Sequence, residues 1–196
     1  MRMSLATRVT MGTVHGIAML GVGIALLYIR ATMTNVVFYV FGCLCALLLV
    51  SVSLLFSATL DWIYAAGIAP HHRTELKWYL LLSAVSGTGA LFFAVAPSAS
   101  IRLLCYFIAA HSLLLAVAKL RLARHWKRRM HEKIAVTLLG CVTACFAVVL
   151  VAIANGNARN AVAVLAAYVI FVGMQVLLYM VWLYRANIVP AASPAH

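Results

Sequence analysis

Residues 36–60 read VVFYVFGCLCALLLVSVSLLFSATL, without one charged side chain. A helix crossing the hydrocarbon of a bilayer needs about 20 mainly apolar residues, because each backbone N–H and C=O must be satisfied within the segment. This run meets the requirement, and five more flank it: 11–29 before it, then 78–97, 101–120, 134–154 and 161–184. They occupy nearly the whole chain, so residues 1–196 are predicted to form one transmembrane domain. Composition agrees: 66% of residues are hydrophobic and 9% charged, against roughly a quarter charged in a soluble domain. The runs are too long and lack the alternation of a membrane barrel. Arg2 and Arg8 before the first run resemble the charged region of a signal peptide. The run is a full span, however, and Tyr28-Ile29-Arg30 offers no small-residue cleavage site, so a retained first helix is expected.

Charge sets an orientation. Of the 15 Lys and Arg, Arg2, Arg8, Arg73, Lys77, Lys119, Arg121, Arg124, Lys127, Arg128, Arg129, Lys133 and Arg185 fall where six spans put one side of the membrane. Arg30, Arg102 and Arg159 fall on the other. Positive residues accumulate on the cytoplasmic side, which places both termini there. Trp62, Trp78, Trp126 and Trp182, with Tyr64, Tyr79 and Tyr184, stand at the same helix ends. An amphipathic ring sits well among headgroups, so a second chemistry gives the same orientation. The expected location is the inner membrane of a bacterial-type cell.

The connections 30–35, 98–100 and 155–160 are short, which predicts antiparallel neighbours. The chain therefore reads as an all-α membrane protein of six transmembrane helices in three antiparallel hairpins. The odd helices carry Gly12-x-x-x-Gly16, Ser83-x-x-x-Gly87 with Gly89, and Gly140-x-x-x-Ala144. Small residues four apart let helices approach closely. They suit a specific dimer or a hinge, but contact within the chain is the simpler expectation.

The densest charge is Arg121, Arg124, Lys127, Arg128, Arg129 and Lys133, opposed by Glu132 and interleaved with Trp126 and Met130. Such a run beside a bilayer binds anionic lipid headgroups, at about 1 kcal/mol per basic residue. It also serves topology, and docking on an acidic partner subunit is the sharper alternative. No folded domain presents these residues to a nucleic-acid groove, so nucleic acid is not an expected partner.

Ionisable groups at membrane depth are rare and functional by default. His111, in Ala109-Ala110-His111-Ser112, stands near the middle of the fourth run, and His15 lies one turn inside the first. Either could hold a cofactor. A haem or chlorin metal on His111, a proton relay or a solute path is one class of reading; a neutral, hydrogen-bonded packing histidine is the other and is preferred. Gln175, near Gly173, is expected to make an interhelical hydrogen bond. Cys43, Cys45, Cys105, Cys141 and Cys145 all fall in spans without a C-x-x-C, so they read as small apolar residues and no metal site is expected. His71, His72, His125 and His131 read as solvated loop histidines.

Only Asp61, Glu75 and Glu132 are acidic, and none lies within an apolar run. Buried carboxylates typical of cation carriers and the HExxH helix of zinc peptidases are therefore missing. A serine hydrolase needs a base at its nucleophile; Ser112 adjoins His111 but diverges from it, and Ser86-Gly87-Thr88-Gly89 is merely Gly-rich. No enzymatic activity is expected.

Lys77-Trp78-Tyr79-Leu80-Leu81-Leu82, then Gly87 and Gly89, then Val95-Ala96-Pro97, with Leu138-Leu139-Gly140 and Gly173 to Arg185 further on, resemble the HdeD-like acid-resistance membrane proteins over about residues 77–185. That resemblance implies three hairpins with Gly-rich odd helices, a stress-associated inner-membrane role, and no catalytic residues. Sequence thus points to a non-catalytic membrane factor or a small structural subunit that meets lipid, other membrane subunits or its own copies. A cofactor-binding or small-solute transport protein using His111 is the alternative.

Overall fold

The computed structural model describes residues 5–68, 73–96, 100–125 and 130–188, all of it helix and short turns. The helices are α1 (Leu5–Thr32), α2 (Val36–Ile68), α3 (Arg73–Val95), α4 (Ile101–His125), α5 (Met130–Ala154) and α6 (Ala158–Ile188). Five contain a segment long and apolar enough to cross a bilayer: Val9–Thr32, Val36–Thr59, Ile101–Arg121, Lys133–Ala154 and Ala158–Trp182. The chain is a multi-pass membrane protein. In α3 the apolar stretch is shorter, Leu80–Val95, because Arg73, Glu75 and Lys77 fill its first turns.

Three helices begin on a side-chain cap at one end of the bundle. Asn35 Oδ1 accepts from Phe38 N at 3.0 Å, Ser100 Oγ from Leu103 N at 3.2 Å, and Asn157 Oδ1 from Arg159 N at 2.9 Å. Each satisfies an N–H that the first helical turn leaves open. These caps fix the tight turns into α2, α4 and α6. At the other end, called here the basic end, helix extends further than the sequence suggested. α2 runs on past Asp61 to Ile68, and the expected basic loop 120–133 is largely the end of α4 and the start of α5.

The hairpin expectation is altered in one respect. The heaviest packing is not across the tight turns but between α2 and α3, α4 and α5, and α1 and α6; the pairs α1–α2, α3–α4 and α5–α6 touch more lightly. The six helices form a closed ring with alternating heavy and light seams. A tight turn fixes adjacency at one end only, whereas packing in lipid follows the positions where backbones can meet. Those positions are the small residues. A Cβ on Gly173 would stand 3.0 Å from the Gly16 carbonyl oxygen and 3.2 Å from Leu20 N, so α6 lies backbone-to-backbone on α1. Gly12 faces Met180 and Gly23 faces Ile170, an antiparallel register along the whole seam. Gly87 lies on Ala58 and Gly140 on Ala116 and Leu120, in the other two heavy seams. The small-residue motifs are therefore contacts within the chain.

Leu26, Leu104, Leu150, Val162 and Leu165, all fully buried, form the core. One region stands apart. Val36 to Phe41, six consecutive large apolar residues, are all exposed, so the first turns of α2 stand clear of their neighbours on every side. Val36, Val37, Val40, Phe41 and Leu44 line a shallow apolar groove there.

Candidate functional site

Buried polar side chains in this bundle mostly bond to their own helix. Ser51 donates to Leu47 O at 2.7 Å, Ser53 to Val50 O at 2.8 Å, and Ser112 to Ala109 O at 2.9 Å. Such back-bonding satisfies a hydroxyl locally and creates no site. Two clusters on α4 differ, because they join helices.

The first contains His111. Its Nε2 lies 2.8 Å from Ser86 Oγ on α3, with Ser86 fully buried and His111 7% exposed. Their partnership spans 25 residues of sequence. A second α3 hydroxyl, Ser83, donates to Ala58 O on α2 at 2.8 Å. Polar residues of one face of α3 thus stitch it to both neighbours.

A hydroxyl on an imidazole is the pairing that a serine hydrolase requires. The surroundings do not support that chemistry. His111 Nδ1 has no hydrogen-bond partner, so no third group orients the ring. Ser86 is the fourteenth residue of α3, well inside the helix; its neighbouring N–H groups belong to the helix ladder and cannot cradle an oxyanion. The pair is a hydrogen-bonded helix contact.

The same geometry bears on a haem or chlorin. The Nε2 that would ligate the metal is engaged by Ser86, and both side chains are enclosed. His15, also buried, is on α1, which packs on α6 and α2, while α4 packs on α5, α3 and α6. The described contacts give His111 its Ser86 partner and bring no second histidine to it. Among the described residues no group of three His, Cys, Asp or Glu gathers as a metal site. Cys105 is buried, while Cys141 and Cys145 face outward. His71 and His72 lie outside the described residues, as do the side chains of His125 and His131.

The second cluster centres on Lys119, which sequence reading assigned to the basic end. Its backbone stands in the last two turns of α4 at that end, and its side chain turns to the neighbouring helices. Lys119 Nζ donates to Thr143 Oγ1 on α5 at 3.2 Å and to Gln175 Oε1 on α6 at 2.5 Å. Gly140 on α5 meets both Ala116 and Leu120 of α4, so the residue level with Lys119 is near 139. Thr143 lies about four residues beyond, roughly 6 Å further from the basic end at 1.5 Å per residue. A Cβ in a helix tilts toward the N-terminus, and the N-terminus of α4 is at the opposite end. The lysine therefore climbs into the bundle instead of snorkelling to the headgroups. A signal for this existed: Ser112, Ala116 and Ala123 are buried, and positions 112, 116, 119 and 123 form one helical stripe.

Of the basic residues expected to meet lipid, Arg121 and Lys133 are exposed. Arg121 also lies over the Trp78 ring, 5.0 Å from its centroid, a cation–π contact that ties α4 to α3. The side chain of Arg124 and the whole of Lys127, Arg128 and Arg129 lie outside the described residues. No protein-family model, curated protein or solved structure matches the chain.

Proposed function

We propose that this protein is a non-catalytic accessory or structural component of a bacterial-type inner membrane, crossing it six times with both termini in the cytoplasm. α3 supplies the sixth crossing, with Lys77 and Trp78 at the headgroup level and Leu80–Val95 as its apolar part. The excess of Lys and Arg at the basic end, and the tryptophans beside them, support the orientation. The basic α4–α5 corner meets anionic lipid headgroups. An HdeD-like stress-associated role accords with this picture through the sequence resemblance over residues 77–185.

The observation that carries the accessory reading is the isolation of Val36–Phe41. The rest of the ring is drawn together by small residues and polar stitches, including His111, whose imidazole is engaged in packing. The first turns of α2 instead offer large apolar side chains on all sides. Contiguous apolar surface of this kind accommodates a helix of another membrane subunit.

A photo-crosslinking residue at Phe38 or Phe41, compared with one at Val148 on the exposed face of α5, tests this in native membranes. Discrete protein adducts from the α2 positions and none from Val148 are expected. Lipid adducts alone from all three, with a solitary monomer in mild detergent, would refute the accessory role.

A further inference from the structure

The Lys119 corner holds more donors than acceptors. The ammonium has three N–H groups, and two go to Thr143 Oγ1 and Gln175 Oε1. The Thr143 hydroxyl donates its own proton to Leu139 O at 2.7 Å, so it acts as an acceptor toward the lysine. An ammonium cannot accept, which fixes the orientation of the Gln175 carboxamide with its oxygen toward Lys119. Its Nε2 then carries two N–H groups that are buried and have no partner. Three donor N–H groups on two adjacent side chains remain, together with a positive charge at the α4–α5–α6 seam.

The backbone positions of Asp61, Glu75 and Glu132 lie away from that corner. Glu132 precedes Thr143 by eleven residues on α5, roughly 16 Å along the axis. Glu75 opens α3, and Asp61 is on α2, which packs chiefly on α3. Lys119 forms no ion pair with a described residue, and its side chain is part-buried and not sealed in the core. Arg121 and Lys133 flank the same α4–α5 corner and raise the local concentration of anions. A headgroup phosphate stays at the helix ends, while the lysine climbs away from them.

We propose that Lys119 and the Gln175 amide form a binding site for a small monovalent anion of halide size, reached from the basic end. The anion accepts the third ammonium N–H and the amide N–H groups and neutralises the buried charge. This goes beyond the accessory role and does not depend on it.

The test uses the full chain in nanodiscs of zwitterionic lipid and reads the chlorine-35 NMR line width of sodium chloride. Wild type is expected to broaden the line beyond empty nanodiscs, and excess sodium bromide to reverse the broadening. Lys119→Met should abolish the excess, Gln175→Leu should reduce it at least fivefold, and Arg102→Gln, exposed at the opposite end of α4, should leave it unchanged. Should Lys119→Met fail to fold, bromide displacement on wild type and the Gln175→Leu reduction decide the matter. No excess broadening by wild type, or equal broadening by Gln175→Leu, would overturn the proposal. So would stabilisation by anionic lipid in sodium gluconate without any response to chloride, which would assign the corner to a headgroup phosphate.

Discussion

Ser86–His111 and Lys119–Thr143–Gln175 lie on the same helix, eight residues apart in α4, and both join α4 to its neighbours. They differ in charge and in enclosure. The first is a neutral hydroxyl–imidazole pair with both side chains buried, in which only Nδ1 of His111 stays without a partner. The second is a cation held by two neutral acceptors, with unused donors and partial access. A buried neutral pair is a stitch, whereas an unpaired charge is an invitation to a ligand. Membrane depth alone therefore does not identify a functional group; its charge and the partners around it do.

The largest way to break that comparison is to move α6. Gly173→Leu would drive a side chain into the backbone of α1 at Gly16 and Leu20. Overpacking of this kind should cost about 3 kcal/mol in reversible unfolding from mixed micelles. It should displace Gln175 from Lys119 and remove the chloride response, while the His111 imidazole nitrogen shifts stay unchanged. Loss of both sites together would show that the two are not independent.

Ser86→Ala leaves His111 Nε2 buried without its partner, at a cost of about 1–3 kcal/mol. The loss should be equal in chloride and in gluconate, because nothing at this seam binds an anion. Removing both members, Ser86→Ala with His111→Leu, should cost less than about 1 kcal/mol, since no buried polar atom is left unsatisfied. A double variant worse than the single one would contradict the packing role. The smallest expected effect is none: a fluorophosphonate probe should not label Ser86, and Ser86-dependent labelling would reinstate a hydrolase.

The spans were legible because hydrophobic length is a one-dimensional property. Residues 36–60 and 101–120 correspond to Val36–Thr59 and Ile101–Arg121, with Asn35 and Ser100 capping the helices that follow. Partners were not legible. Nothing local in Gly16 or Gly173 says that α1 closes on α6, and Ser86 and His111 meet only because α3 and α4 are antiparallel at that register. The inward turn of the Lys119 side chain was not legible because a lysine near a helix end usually snorkels. The direction of its Cβ and its place among Ser112, Ala116 and Ala123 outweigh that habit.

The central claim, that Lys119 is an interior cation awaiting an anion, has a direct measure. The unfolding midpoint of Lys119→Met/Gln175→Leu is compared with wild type in zwitterionic nanodiscs, first in sodium gluconate and then with rising sodium chloride. Replacing an unmatched buried charge by apolar residues of similar volume stabilises. The double variant is therefore expected to show a higher midpoint in gluconate, with a gap that closes as chloride stabilises wild type alone. A gap of constant size across the chloride series would contradict it.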